Sequence, residues 1–417
     1  MRNWRFIGIV AVLVILLDFY VFQIIKSVSQ GASSRTRMII YSVYWTVSIG
    51  ALITFALMPL LFSPQAEGTS RLRSYIFATI LGLFFAKLLA SVFFLVDDIR
   101  RLITWAAGKL FFDHTEGASM QSEGISRSVF LNWLGLGVGG TLFSSLVYGF
   151  SNKYNYHTRR VQLSFSNLPA SFRGLKIVQL SDIHSGSFND PVAVSKGVDK
   201  VLAEKPDLIL FTGDLVNDIA TEMKDYKDIF SRLQAPMGVF STLGNHDYGD
   251  YAWWETPELK KANLDHLKQI QKDMGWRLLM NEHVALERGG EQIALIGIEN
   301  WSAKARFPKY GKMSEAYPGA EKYPFKILMS HDPSHWDAEV RPHYPDIDLA
   351  LAGHTHGMQF GIEIPGLKWS PVQYVYKQWA GLYEEGKQKL YVNRGYGFIG
   401  YPGRVGILPE ITVIELV

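Results

Sequence analysis

Four apolar runs, Phe6–Ile25, Met38–Phe62, Tyr75–Val96 and Val129–Phe150, fall within the first 150 of 417 residues. Each approaches the ~20 helical residues needed to cross a bilayer core. Inside hydrocarbon the backbone must bond to itself, which restricts such runs to helices. Arg2 and Arg5 precede the first run as in a signal peptide, yet no small-residue cleavage site follows and the run continues through Phe22 and Ile25. It reads as a retained helix. The fourth run holds five glycines between Gly135 and Gly149, which a membrane helix accepts better than a soluble one.

Charge separates the two parts of the chain. Residues 1–150 carry 12 Lys+Arg against 7 Asp+Glu, and the remainder 30 against 32, so the excess behind the net +3 lies in the apolar half. Those cations flank apolar spans, where they orient helices and meet lipid headgroups, and nucleic-acid binding is not expected. With four spans both ends share one side, and the short loops divide their Lys/Arg seven against seven, leaving the side open. Ser126-Arg127-Ser128-Val129-Phe130-Leu131 is similar to a twin-arginine export signal without its second arginine, and tips the expectation toward a C-terminal half outside the cytoplasm. The chain has no cysteine, so it forms no disulfides and any metal must use His, Asp, Asn or Glu.

After the polar connector Ser151–Arg160 the pattern changes to short apolar strands alternating with amphipathic helices. Strands are predicted at Leu175–Leu180, Asp207–Phe211, Gly238–Leu243, Gln292–Ile298, Lys326–Met329, Asp348–Ala352, Lys389–Val392 and Ile411–Leu416. Asp190-Pro191 opens one helix, Thr221–Leu233 is helix-rich, and Glu255–Met274 reads as another helix. Strand–helix–strand order at a spacing of roughly 30 residues predicts an α/β unit with right-handed crossovers. Later strands without crossover helices predict a second, mixed sheet packed on the first. The expected organisation is a transmembrane region over 1–150, a connector with a first strand over 151–172, and a catalytic domain over 173–417.

Polar residues of the metal-binding type recur directly after the strands: Asp182 and His184, then Gly213-Asp214, then Gly244-Asn245-His246-Asp247, Ser330-His331-Asp332, and Gly353-His354-Thr355-His356-Gly357. Ligand sites in open α/β sheets form beyond the carboxyl ends of the strands, so five such loops are able to converge on one cleft. Two divalent ions ~3.5–4 Å apart need a bridging carboxylate, neutral imidazoles and a position left for water. Asp-x-His and His-x-His place two side chains on one side of a turn. Each motif alone has a plainer explanation, a turn, a cap or a surface histidine. It is their joint occurrence that points to a metal site.

These five motifs, in this order, resemble the calcineurin-like metallophosphoesterase superfamily, in particular its bacterial membrane-associated branch, over about residues 160–417 and including the closing Leu408-Pro409-Glu410-Ile411. The resemblance implies a four-layer α-β-β-α sandwich behind the four spans. It implies a first metal on Asp182, His184 and His356, a second on Asn245, His331 and His354, and Asp214 bridging both. His246 then faces the phosphoryl oxygens or leaving group, oriented by Asp247, and these two are the catalytic candidates. The cofactors implied are two divalent or mixed-valence ions, Mn, Fe or Zn.

The expected reaction is hydrolysis of a phosphate ester, phosphodiester or pyrophosphate by a metal-bridging hydroxide. A domain tethered so close to a membrane favours a lipid-linked or membrane-associated substrate over a freely diffusing one. The alternative is a membrane transporter or sensor carrying a regulatory or catalytically silent phosphoesterase-fold domain, kept open by intramembrane Asp18 and Lys87. Both lie 12 residues into spans that run in the same direction, and an ion pair between them is predicted. His114, His157, His266, His283, His335 and His343 lack such partners and read as structural or solvated, with His335 closest to a motif. The stretch Trp369–Tyr383, with Tyr374, Tyr376, Trp379 and Tyr383, reads as loop packing, as part of a substrate wall or as a segment that dips into lipid, and the insertion Phe307–Pro324 as packing or as a lysine-bearing contact for a phosphorylated headgroup.

Overall fold

A computed structural model describes residues 4–61, 69–111 and 127–417, so Phe62, the expected end of the second span, and His114 lie outside the described residues. The chain divides into two compact units, Met1–Tyr148 and Gly149–Val417.

The first unit holds helices α1 (Trp4–Val28), α2 (Ser34–Leu61), α3 (Thr69–Phe111) and most of α4 (Arg127–Gly149), all long and apolar enough to cross a membrane. Leu13, Leu16, Val43, Leu95 and Trp133 point outward and exposed, a surface suited to lipid rather than water. Helix α3 runs to Phe111, well beyond the expected Val96. Asp97 pairs with Arg100 at 2.9 Å and Asp98 with Arg101 at 3.9 Å, so the charges that end the apolar run sustain the helix through i,i+3 pairs. Inside the unit, Lys87 Nζ lies 2.5 Å from Asp18 Oδ1 and donates to Ser48 Oγ at 2.8 Å, while Tyr44 donates to the Asp18 carbonyl at 2.8 Å. The expected pair between the first and third helices therefore forms, and hydroxyls from α2 complete it. Helix α4 approaches α3 closely because Gly139 has no side chain: a Cβ there would sit 2.6 Å from the Ala86 carbonyl oxygen.

The second unit is a sandwich of two six-stranded sheets. The strands are, in chain order, β1 (His157–Leu163), β2 (Lys176–Leu180), β3 (Leu208–Phe211), β4 (Val239–Ser241), β5 (Arg277–Leu278), β6 (Glu282–Arg288), β7 (Glu291–Gly297), β8 (Lys326–Met329), β9 (Leu349–Ala352), β10 (Ile362–Ile364), β11 (Leu367–Trp369), β12 (Gly381–Glu385), β13 (Gln388–Val392) and β14 (Glu410–Leu416). One sheet has the order β1-β14-β2-β3-β4-β5, the other β12-β13-β9-β8-β7-β6, and β10-β11 form a separate hairpin. Strands β2 to β5 are parallel, as are β7, β8, β9 and β13, so two sets of strand C-termini are available to carry loops.

Alternating side chains give each sheet two buried faces. Ile177, Leu208 and Leu210 of the first sheet meet Leu295, Ile327 and Leu351 of the second in a core between them. Val178, Ile209 and Phe211 face the other way, onto Val194 and Val198 of α5 (Pro191–Ala203) and Leu267 and Ile270 of the helix Pro257–Asp273. On the outer face of the second sheet, Ile296, Leu328 and Ala350 pack against Met313, Ala316, Trp336 and Val340. The order of layers is α-β-β-α. Helix α5 starts as its sequence predicts, with Asp190 accepting from the Ala193 amide and Pro191 in the first turn. Strands β5, β6 and β12 and the β10-β11 hairpin were not anticipated. In β6 polar Glu282, Glu287 and Arg288 mask the alternation of an edge strand, and β12 and the hairpin are too short to show a period.

Candidate metal centre

Each motif leaves its strand at the same edge of a sheet and turns sharply. Asp182, His184, Asp214, His354 and His356 all adopt left-handed backbone, with φ of 53°, 50°, 62°, 69° and 50°. Such backbone costs of order 1 kcal/mol or more per non-glycine residue, and its concentration here is the mark of a site the surrounding fold holds in place. Gly353 permits the approach of two loops, since a Cβ there would lie 2.2 Å from Asp182 Oδ2.

Two ligand-type groups result, Asp182 with His184 and His356, and Asp214 with His331 and His354, each set within 4.8 Å. Asp214 faces both: its Oδ2 is 3.6 Å from His184 Nε2 and 3.1 Å from His331 Nε2. His356 Nε2 lies 3.3 Å from Asp182 Oδ1, and His354 Nδ1 lies 3.2 Å from His331 Nε2. Backbone groups fix these side chains. The amide of His354 donates to both Asp182 oxygens at 2.9 and 3.0 Å, the amide of His246 donates to Asp214 Oδ1 at 2.8 Å, and the Thr212 carbonyl holds His331 Nδ1 at 2.7 Å. A carbonyl on Nδ1 fixes a ring proton there and turns Nε2 toward the centre.

The donor set fits metal ions. Among the described residues Asn245 Oδ1 and both ring nitrogens of His184 are buried without a hydrogen-bond partner, which is costly unless a cation takes the oxygen and the lone-pair nitrogen. Burial holds the pKa values of His184, His354 and His356 below the ordinary histidine range and so favours the neutral imidazoles that bind metal. At His331 burial acts the same way, but the charge and hydrogen bond of Asp214 outweigh it and push the pKa up to about 10. Burial raises Asp214 in turn, yet the imidazoles of His331 and His246 hold it well below the usual carboxylate range.

His246 stands beside these groups, its ring centroid 4.9 Å from that of His184, and its Nδ1 is 2.6 Å from the Asn217 carbonyl. Asp247, expected to orient His246, has its hydrogen bonds with backbone amides. The Asp247 carboxylate accepts from the amides of Gly244 at 2.8 Å, Asp214 at 2.9 Å, Leu215 at 2.8 Å and Val216 at 3.3 Å. A carboxylate between two loops with unpaired amides satisfies them rather than an adjacent side chain, so Asp247 clasps the Asp214 and Asn245 loops together. Burial and the Asp214 charge still push its pKa up to about 7.

Further side chains surround the two groups. Tyr376 Oη lies 2.8 Å from His354 Nε2 and 3.2 Å from Asp332 Oδ2, so one member of the aromatic stretch reaches the site. Tyr251 accepts from Asn245 Nδ2 at 2.9 Å. Arg404, fully buried, places Nη2 3.3 Å from His356 Nδ1. In the insertion, Phe307 meets His354 edge-on at 4.7 Å, whereas Lys312 pairs with Glu315 and Lys309 lies over Trp301. The nearer cations are Lys304, whose Nζ is 5.4 Å above the Tyr376 ring, and Arg306, 5.7 Å from the Phe307 ring. His335 turns away to Ser330 at 3.0 Å and Glu339 at 3.6 Å, His283 bonds the Ala316 carbonyl at 2.9 Å, and His266 and His343 are exposed.

Comparison with known proteins gives two family matches. The family described as "Probable Calcineurin-like phosphoesterase, transmembrane domain" matches residues 1–153, and "Calcineurin-like phosphoesterase" matches residues 175–358. A zebrafish (Danio rerio) transmembrane protein with metallophosphoesterase domain is 29% identical over 61% of this chain and 56% of its own length, so the chain spans about half of that relative. The uncharacterised metallophosphoesterase YkuE of Bacillus subtilis is 30% identical over 70% of this chain and 98% of its own length. The UDP-2,3-diacylglucosamine pyrophosphatase LpxG of Chlamydia muridarum is 27% identical over 55% of this chain and 79% of its own length.

Proposed function

The chain belongs to the calcineurin-like phosphoesterases, hydrolases of phosphoester bonds anchored here by four apolar helices, and from that premise we propose that its substrate is a lipid-linked phosphodiester or pyrophosphate. The observation that carries the reaction is the pair of ligand-type groups facing each other across Asp214. Asp182, His184 and His356 would hold one ion, Asn245, His331 and His354 the other, and Asp214 both. His, Asp and Asn donors without thiolate suit Mn, Fe or Zn. Bound there, two such ions lower the pKa of water and neutralise charge on the phosphoryl oxygens.

The remaining work falls to the chain. With Nδ1–H donated to the Asn217 carbonyl, His246 keeps Nε2 for the leaving oxygen, and in its imidazolium form, protonated on both nitrogens, it is suited to pass the Nε2 proton there and revert to the neutral ring. Arg306 and Lys304 carry positive charge at the cleft, and among the described residues neither has a carboxylate within salt-bridge distance, which suits them to phosphoryl oxygens. The lipid substrate is supported by the short link between the last apolar residues and β1, Lys153 to Tyr156, and by the diacyl substrate in the name of the chlamydial relative. An extracytoplasmic site is supported by the incomplete twin-arginine pattern at Ser126–Leu131.

The test is metal content and turnover of the purified full chain, stripped by chelator and reloaded with Mn, Fe or Zn, on a soluble phosphodiester and on a diacyl sugar-nucleotide pyrophosphate. Metal-dependent turnover with preference for the lipid supports the proposal. Two bound ions without turnover of any ester would remove it.

A further inference from the structure

Strand β10 reverses the usual alternation. Glu363 points inward, where Arg394 Nη2 meets it at 2.6 Å, and Ile362 and Ile364 point out, Ile364 being 58% exposed. Across the hairpin, Leu367 opposite Ile364 is exposed as well. Trp369 Nε1 lies 3.5 Å from the hydroxyl of Tyr374, itself 77% exposed and followed by exposed Val375. Outward isoleucine and leucine beside Trp and Tyr are disfavoured against water and match a bilayer interface, where aromatic rings concentrate.

The position of this face identifies its occupant. The fourth apolar helix ends at Gly149, and the Gly149 carbonyl accepts from the Arg404 amide at 2.9 Å, while Phe150 packs on Tyr401 at 5.7 Å. The same 401–405 loop also pairs with the segment that enters the hairpin, since the Val405 amide donates to the Gln359 carbonyl and the Val405 carbonyl accepts from Gly361, the residue before β10. The exposed apolar hairpin and the residues leaving the membrane helix are therefore braced by one loop. We propose that the β10-β11 hairpin, with Tyr374 and Val375, is a membrane-contacting face that rests in the headgroup region of the bilayer and admits lipid-linked substrate to the His354–His356 loop. Thr355 donates to the Trp379 carbonyl and Ser370, directly after β11, donates to the Gly357 carbonyl at 2.8 Å, so the face is bonded to the ligand loop itself. Lipid contact does not depend on the proposed substrate, but admission of substrate rests on it.

The absence of native cysteine makes the test direct. The full chain carrying Leu367→Cys, or Lys261→Cys on the exposed start of the helix Pro257–Asp273, is labelled with an environment-sensitive fluorophore in phosphatidylcholine–phosphatidylglycerol nanodiscs containing headgroup-proximal doxyl lipid. Quenching at position 367 and none at 261 is the expected result. No quenching at 367, equal quenching at both, or shielding that grows with protein concentration and so marks a second copy, overturns the lipid contact. The double change Ile364→Asp, Leu367→Asp is expected to lower turnover of the diacyl pyrophosphate in nanodiscs about tenfold, from the lost apolar anchoring, while a soluble phosphodiester is hydrolysed as before. Equal loss on both substrates overturns the admission role. Quenching without any lipid turnover leaves the contact standing and sinks the lipid-substrate reading instead.

Discussion

At the scale of single residues the proposed centre divides groups placed to hold ions from one placed to act on substrate. Asp214 faces His184 and His331 together, so Asp214→Asn is expected to abolish turnover and lower bound metal at both positions, checked by elemental analysis beside kinetics. His246 touches the centre through its ring and is tied to Asn217, so His246→Ala should keep metal near normal and lower kcat by ~10²- to 10⁴-fold, the usual weight of a placed proton donor. Loss of metal in that variant would make His246 a ligand or a support. His331 adds a pH dependence whose sign follows from Asp214, which raises its pKa to about 10 in the metal-free site. An ion must displace that proton, so binding releases protons and weakens as pH falls. Calorimetry in buffers of different ionisation enthalpy reads the release, and binding that is unchanged from about pH 8 to about pH 6 counts against a ligand role for His331.

Elements transmit position. In the membrane unit, α1, α2 and α3 are joined by Asp18, Ser48 and Lys87. A lone charge at this depth costs roughly 2.5–3.5 kcal/mol on insertion scales, so Asp18→Ala and Lys87→Ala should each lower the yield of folded chain. Exchanging the two charges, Asp18→Lys with Lys87→Asp, should recover much of it, and a double variant no better than either single one removes the pairing as the cause. In the hydrolytic unit the sheets bring the ends of β2, β3 and β4 to those of β8 and β9, and Asp247 then binds the backbone of two loops. Asp247→Ala leaves those buried amides unpaired, and is expected to cost roughly 1–3 kcal/mol of stability along with activity, a loss seen in thermal unfolding that His246→Ala does not share.

On the scale of the whole molecule, the chain divides at about residue 149 into two compact units, one built for lipid and one with its core between two sheets. Ions bound only by the folded hydrolytic unit stabilise it, by ~2.7 kcal/mol at one hundred times the dissociation constant. Chelation should therefore lower its melting transition and leave the helical unit's transition in place. The sequence alone determined the four spans, because bilayer thickness sets a length that composition cannot disguise. It also determined the strands that carry ligands, since buried parallel strands are apolar runs followed by their loops. It named seven ligand candidates and His246, because strand ends project into one cleft whatever the exact packing. Only tertiary structure decided which amides lacked partners, and so that Asp247 clasps backbone while the Asn217 carbonyl holds His246. Arg404 was illegible for the same reason: it reaches His356 from a loop 48 residues away in the chain, and no local period records a contact made across the fold, whereas Tyr376 lay in the aromatic stretch already read as packing, substrate wall or lipid contact. The length of α3 was likewise decided by i,i+3 ion pairs beyond its apolar run, and the outward face of β10 by Arg394, which draws Glu363 inward and leaves the isoleucines outside.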